Sequence, residues 1–187
     1  MLQSIARFLL RLGGWTLVGK VPTAPKAVLI AAPHTSNWDG IWGLIAKVAF
    51  DLDVRFFGKE SLFWFPLGVL LRGMGGIPLD RSRPGSTVTQ AIEAFAAEEK
   101  LYIAMAPEGT RSRREHWKSG FYRIATGAKV PLVLAFFDYE ARRLGIGMTL
   151  ELTGDPERDM HAIREFYAAN MHGRHPEKTS MIALPPE

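Results

Sequence analysis

Apolar residues in this chain arrive in short unbroken runs, each closed by a polar or glycine-bearing turn, and that pattern restricts the fold more than anything else. Ala27-Val-Leu-Ile-Ala-Ala32, preceded by Pro25, is one such run. It is of strand length, and its lack of polar alternation predicts a strand covered on both faces, as in the middle of a parallel sheet. Val54–Phe57, Ile77–Leu79, Leu101–Ala106 and Pro131–Phe137 repeat the signal, while Gly145–Leu152 alternates and predicts an edge or antiparallel strand. Helical patterns fall between them. Ser36 or Asn37 caps one with Ile41, Leu44, Ile45 and Val48 as its stripe. Ser86 or Thr87 starts another, with Val88, Ile92, Phe95 and Ala96 turned inward, and Gly120–Lys129 is a third. Asp155 and Pro156 open a last helix, Glu157 suits its positive end, and Gly173 is expected to close it. The alternation predicts an α/β fold: a single domain over residues 1–187, with a mixed, mostly parallel sheet flanked by helices. Ligands of such sheets sit beyond the carboxyl ends of the strands.

Size and charge narrow the function. The chain has 187 residues, 47% of them hydrophobic, enough for one core. A formal net charge of +4 is too mild for a protein that coats nucleic acid, so no nucleic-acid partner is expected. Zero cysteines exclude disulfides, thiolate metal sites and any acyl-cysteine intermediate. The longest stretch without Asp, Glu, Lys or Arg, Ala27–Trp38, has 12 residues, against about 18 needed for a spanning helix. Two apolar segments stand apart. In the N-terminal segment, residues 1–20, Ile5, Phe8, Leu9 and Leu12 share a helical face, with Arg7 and Arg11 on another. That face suits either a membrane interface or the domain's own core. Ser61–Leu71 is apolar nearly all round, and Leu62, Phe63, Trp64, Phe65, Leu67, Val69 and Leu70 line either an apolar groove or a plain core helix.

Three polar clusters follow strands. Pro33-His34-Thr35-Ser36-Asn37-Trp38-Asp39 places a histidine five positions before an aspartate. The two meet only if His34 lies in the loop and Asp39 in the first helical turn. Asp39 then orients one ring nitrogen, and the other is free to take a proton from a substrate. A capped helix beside a surface histidine gives the same spacing. Ala106-Pro107-Glu108-Gly109-Thr110-Arg111-Ser112 offers amides, a hydroxyl and a guanidinium suited to an anion, or a polar turn. Gly76-Ile77-Pro78-Leu79-Asp80-Arg81 ends a third strand with an Asp-Arg pair. His172-Gly-Arg-His175 has metal-like spacing without a further ligand, so no metal site is expected and a solvated C-terminal segment is favoured. His161 is read as structural or exposed. Arg111, Arg113, Arg114 and Lys118 suit an anionic lipid surface or an acidic carrier protein.

In their order and spacing these three clusters, followed by Val130-Pro131-Leu132-Val133, resemble the glycerolipid acyltransferase family, which includes the lysophosphatidate acyltransferases; the likeness runs from about Pro25 to Leu134. The resemblance implies transfer of an acyl group from acyl-CoA or acyl carrier protein as co-substrate to a hydroxyl of a lysolipid or glycerol phosphate. It implies no further cofactor, and a cytoplasmic protein held peripherally at a membrane. By the same resemblance His34 is the base and Asp39 its partner, Arg81 helps to hold the acceptor's phosphate, and Glu108, Gly109, Thr110 and Arg111 form the acceptor pocket. Lys59 matches a basic position more loosely. Pro33 stands where the family usually has asparagine, Ala106 replaces phenylalanine, Pro78 an aromatic residue and Leu134 a proline. None of these removes a reactive group. With no Gly-x-Ser-x-Gly elbow and no cysteine, direct attack by the acceptor is the simplest route. A thioesterase or lysolipid hydrolase using the same dyad, and a non-catalytic lipid-binding module, are the alternatives.

Overall fold

Residues 1–79 and 86–186 are described by a computed structural model. Within them the elements run α1 (Leu2–Leu12), β1 (Thr16–Val18), β2 (Lys26–Ala32), α2 (Asn37–Phe50), β3 (Val54–Lys59), α3 (Leu67–Gly73) and β4 (Gly76–Leu79). They continue with α4 (Ser86–Ala97), β5 (Leu101–Met105), α5 (Gly120–Ala128), β6 (Leu132–Asp138), β7 (Arg143–Leu150) and α6 (Pro156–Asn170). The strands form one seven-stranded sheet in the order β1-β7-β6-β2-β5-β3-β4. Every pairing is parallel except that of β6 with β7.

β2 explains why its sequence is apolar at every position. Val28, Ile30 and Ala32 join Ile103, Leu132, Leu134 and Phe136 in a core shared with Phe95, Phe121, Ile163 and Tyr167 of α4, α5 and α6. Ala27 and Leu29 face the other way with Leu52 and Val133. On that side α1 packs on α2. Alternate residues of one strand thus serve two cores, which places the carboxyl end of β2 between two layers and beside that of β5.

Several expectations change. β7 is antiparallel but not an edge strand, because β1 covers it, and β1 is too short to stand out as an apolar run. Ile41 is exposed, and α2 instead buries Ala46, Ala49 and Asp39. In α4 the buried residues include Ala91 and Phe95, whereas Ala96 is exposed. α6 ends at Asn170, ahead of Gly173, and the segment after it is solvated in part, with His172, Arg174, Pro176 and Glu177 exposed. It lies along the molecule, with Gly173 and Ser180 buried. The Ser61–Leu71 segment is not a core helix: only Leu67–Gly73 is α-helical, and Trp64, Phe65, Val69 and Leu70 are exposed, Phe65 to 82%. α1 docks through Ala6 and Leu10, leaving Ile5, Phe8, Leu9 and Leu12 open. No helix among the described residues is long and apolar enough to cross a membrane.

Candidate active site

The loop after β2 carries His34 into α2. Ser36 caps that helix: its hydroxyl accepts from the Trp38 amide at 3.2 Å, while the Asp39 carboxylate reaches back to the Ser36 amide at 2.8 Å. This capping box holds Asp39 in the first turn, where the motif needs it. Oδ2 of Asp39 also accepts from the Thr35 amide at 2.7 Å and lies 3.7 Å from His34 Nδ1. Oδ1 accepts from the Tyr139 hydroxyl at 2.5 Å. Asp39 is therefore buried with both oxygens partnered, as a buried carboxylate requires.

The loop after β5 comes alongside. The His34 amide donates to Glu108 Oε1 at 3.1 Å, so the histidine loop and the Glu-Gly-Thr-Arg loop are joined directly. Gly109 adopts φ +65, which favours glycine, and its amide closes the turn on the Ala106 carbonyl at 3.1 Å. Thr110 Oγ1 accepts from the Ser112 amide at 3.4 Å. Glu108 is 1% exposed, and among the described residues its Oε2 has no hydrogen-bond partner. Burial, reinforced by the Asp39 charge and opposed by the His34 amide, pushes Glu108 up to about 7. Burial also pushes the His34 imidazole below its ordinary value; Asp39 pulls it back up, and the Arg111 guanidinium adds a smaller push down. Arg111 thus shares the electrostatic space of the dyad. A neutral imidazole with its side chain 28% exposed is suited to accept a proton.

A cleft of about 350 Å³ opens here, lined by Thr35, Ser36, Asn37, Arg111, Ser112, His175 and Lys178. His34, Asp39, Glu108, Gly109, Thr110 and Arg111 are therefore brought to one place. Lys59 ends β3, on the same edge of the sheet, but among the described residues no hydrogen bond or ion pair ties it to the dyad. Arg81 lies outside the described residues. His172 and His175 belong to no cluster that could hold a metal ion among the described residues. Instead His172 Nδ1 meets the buried Asp138 Oδ1 at 3.0 Å. His161 is exposed beside Glu165, as expected.

Comparison with known proteins decides the family: the family model described as Acyltransferase matches residues 16–135. The chain belongs to the acyltransferase family. Among its relatives is the 1-acyl-sn-glycerol-3-phosphate acyltransferase of Limnanthes douglasii, 36% identical over 81 residues, covering 40% of this chain and 29% of that protein. The Haemophilus influenzae protein of the same name is 37% identical over 83 residues, covering 41% and 34%. The aligned part thus spans about a third of those acyltransferases. The crystal structure of the 1-acyl-sn-glycerophosphate acyltransferase of Thermotoga maritima shares the fold, with a TM-score of 0.62 at 17% identity over 90% of this chain and 76% of that one.

Sequence reasoning missed Tyr139. Burial and its bond to Asp39 push the phenol far above its ordinary range, so it stays a donor to that carboxylate. The signal was its place directly after the apolar run of β6, at a carboxyl strand end. Trp15 packs edge-on against it with ring centroids 4.8 Å apart, which fixes the ring.

Proposed function

We propose that this protein is a peripheral membrane acyltransferase that moves a fatty acyl group from acyl-CoA or acyl carrier protein to a hydroxyl of a lysophospholipid or glycerol-phosphate acceptor. What carries the reading is the bond from the His34 amide to Glu108 Oε1, which gives the base and the anion-binding loop a common site. His34 Nε2 takes the acceptor's hydroxyl proton as its oxygen attacks the thioester carbonyl. The tetrahedral intermediate expels the thiolate, which receives the proton from His34. Asp39, 3.7 Å from Nδ1, steadies the imidazolium between the two steps. Arg111 and the Glu108–Thr110 turn receive the acceptor, with Lys59 at the end of β3 as a further basic group; Arg81, outside the described residues, is assigned to the acceptor's phosphate by the family resemblance alone. The chemistry needs neither a metal nor a redox cofactor.

The apolar residues left open on α1 and around α3 support attachment to a lipid surface, with Arg7 and Arg11 flanking the first of these faces. Replacing Phe8 and Leu12 by serine is expected to weaken sedimentation with anionic vesicles, as is raising the salt. Unchanged binding would reject the interfacial N-terminus.

The deciding experiment incubates the protein with labelled acyl donor and a panel of lysolipids, phosphate-free acceptors included, and identifies products by mass. An acylated lysophospholipid whose formation disappears in His34→Ala is expected. Free fatty acid released at a rate independent of acceptor would identify a hydrolase instead. Lipid binding without turnover, unaltered in His34→Ala, would identify a binding module.

A further inference from the structure

The segment after α6 lies outside the stretch that defines the family, yet it touches both loops of the site. On one side the His175 amide donates to Thr35 Oγ1 at 3.3 Å, and Gly173 lies so close that a Cβ there would sit 3.0 Å from Thr35 Cγ2. On the other side the Arg114 amide donates to Ser180 Oγ at 3.2 Å, and the Trp117 amide to the Ala183 carbonyl at 2.8 Å. The segment's start is anchored as firmly. His172 bonds to buried Asp138, and its carbonyl accepts from the Tyr139 amide at 2.8 Å. The guanidinium of Arg174 lies 5.5 Å from the centroid of Trp38. These contacts make the segment a strap across the mouth of the dyad loop.

Two basic residues of the strap, His175 and Lys178 on its Pro176–Lys178 turn, face the same cleft as Arg111. The rest of the described lining is hydroxyl and amide groups, and among the described residues no carboxylate contributes to it. Glu177 stands 3.6 Å from His175 Nδ1 but is 67% exposed, and a surface pair of that kind does little to cancel charge directed into the cleft. Guanidinium, ammonium and hydroxyl groups around a small polar cleft match a phosphate monoester: Arg grips it in bidentate fashion, and Lys adds a point charge. The adjacency of Thr35 to His34 sets an anion bound there beside the base.

We infer that Lys178 and His175, on the strap, extend the acceptor's anion site beside Arg111 and so help to determine the preference for an acceptor that bears a phosphate monoester. The inference rests on the acyl-transfer reading above and adds residues to which the resemblance assigns no role. Its test uses the full chain in mixed micelles and compares kcat/KM for 1-acylglycerol 3-phosphate with that for monoacylglycerol. In Lys178→Met the ratio is expected to fall about tenfold, the scale of one lost hydrogen bond to a charged group, and Lys178→Arg should recover most of it. His175→Gln lowers it by a smaller factor. A strap that served only as a brace would change both acceptors alike and leave the ratio unmoved, which overturns the proposal. A rise in KM confined to the acyl donor also overturns it, because the cleft would then take the donor's phosphates. Titration with glycerol 3-phosphate, followed by amide shifts at Thr35 and Lys178, reads the site without turnover. Saturable shifts weakened about tenfold in Lys178→Met are expected; absence of shifts in the wild type overturns the site. Binding without any acyl transfer would sink the acyl-transfer reading and leave the anion site standing. Turnover with an unmoved ratio would do the reverse.

Discussion

Asp39 and Glu108 are both 1% exposed, and both touch the short stretch His34–Ser36, but their surroundings treat charge in opposite ways. Asp39 receives two amides on one oxygen and the Tyr139 phenol on the other. Glu108 receives one amide, and among the described residues its second oxygen accepts no hydrogen bond. Burial of a carboxylate is tolerable when donors replace its water, and costly when they do not. One site therefore holds a carboxylate equipped to support a cationic imidazole and a carboxyl that titrates near neutrality. The difference lies in the number of donors, not in depth.

The strongest way to break this contrast is to remove the charge from the satisfied member. Asp39→Asn is expected to lower kcat by ~10²–10⁴, the range of general-base catalysis, because the imidazolium loses its partner. It should also move the acid limb of kcat/KM further below the ordinary histidine value, since Asp39 is the group that raises His34 against burial. A pH-rate profile checks both; an unshifted limb would mean that the carboxylate does not act on the ring.

Glu108→Gln addresses the other member. With the folded carboxyl at about 7 and the free one at 4.5, the folded state holds the extra proton between those values. Wild-type stability therefore falls as pH rises from about 4.5 to 7, by ~3 kcal/mol at most, and the glutamine variant is spared that loss. Denaturant midpoints across that window should show the variant gaining on the wild type with rising pH. A constant difference would place a hidden donor against Oε2.

Tyr139→Phe removes one donor from Asp39 and so makes it resemble Glu108. The expected cost is ~1–3 kcal/mol of stability, with a fall in kcat smaller than that of Asp39→Asn. Unfolding curves and turnover on the same preparation measure the two together. If neither changes, the phenol is not a partner that Asp39 needs.

What the sequence disclosed about this contrast was uneven, for physical reasons. The strands β2 and β6 were legible because burial on both faces demands continuous apolar runs. The Ser36 cap and the Asp155–Pro156 helix start were legible because local hydrogen bonding sets them. His34 and Asp39 could be paired because the helix start fixes their relation over five residues. Tyr139 could not be found that way: its bond to Asp39 spans 100 residues, and periodicity carries no such information. The anchoring of the strap was not legible because its anchors are backbone groups and long-range polar contacts, which leave no hydrophobic pattern. The open faces of α1 and α3 show the converse limit. An apolar stripe states that water is disfavoured without naming what takes its place.

The distances along the chain also bear on how the protein comes into being. His34 meets Glu108 across 74 residues, Asp39 meets Tyr139 across 100, and Thr35 meets His175 across 140. At a synthesis rate of about 5–20 residues per second, the first of these partners emerges roughly 4–15 s after the histidine. Until about then β2, apolar from Ala27 to Ala32, waits on the ribosome without either of its neighbours, β5 and β6. Nascent chains should therefore depend on chaperones early and acquire activity last, when the strap closes over a sheet already formed.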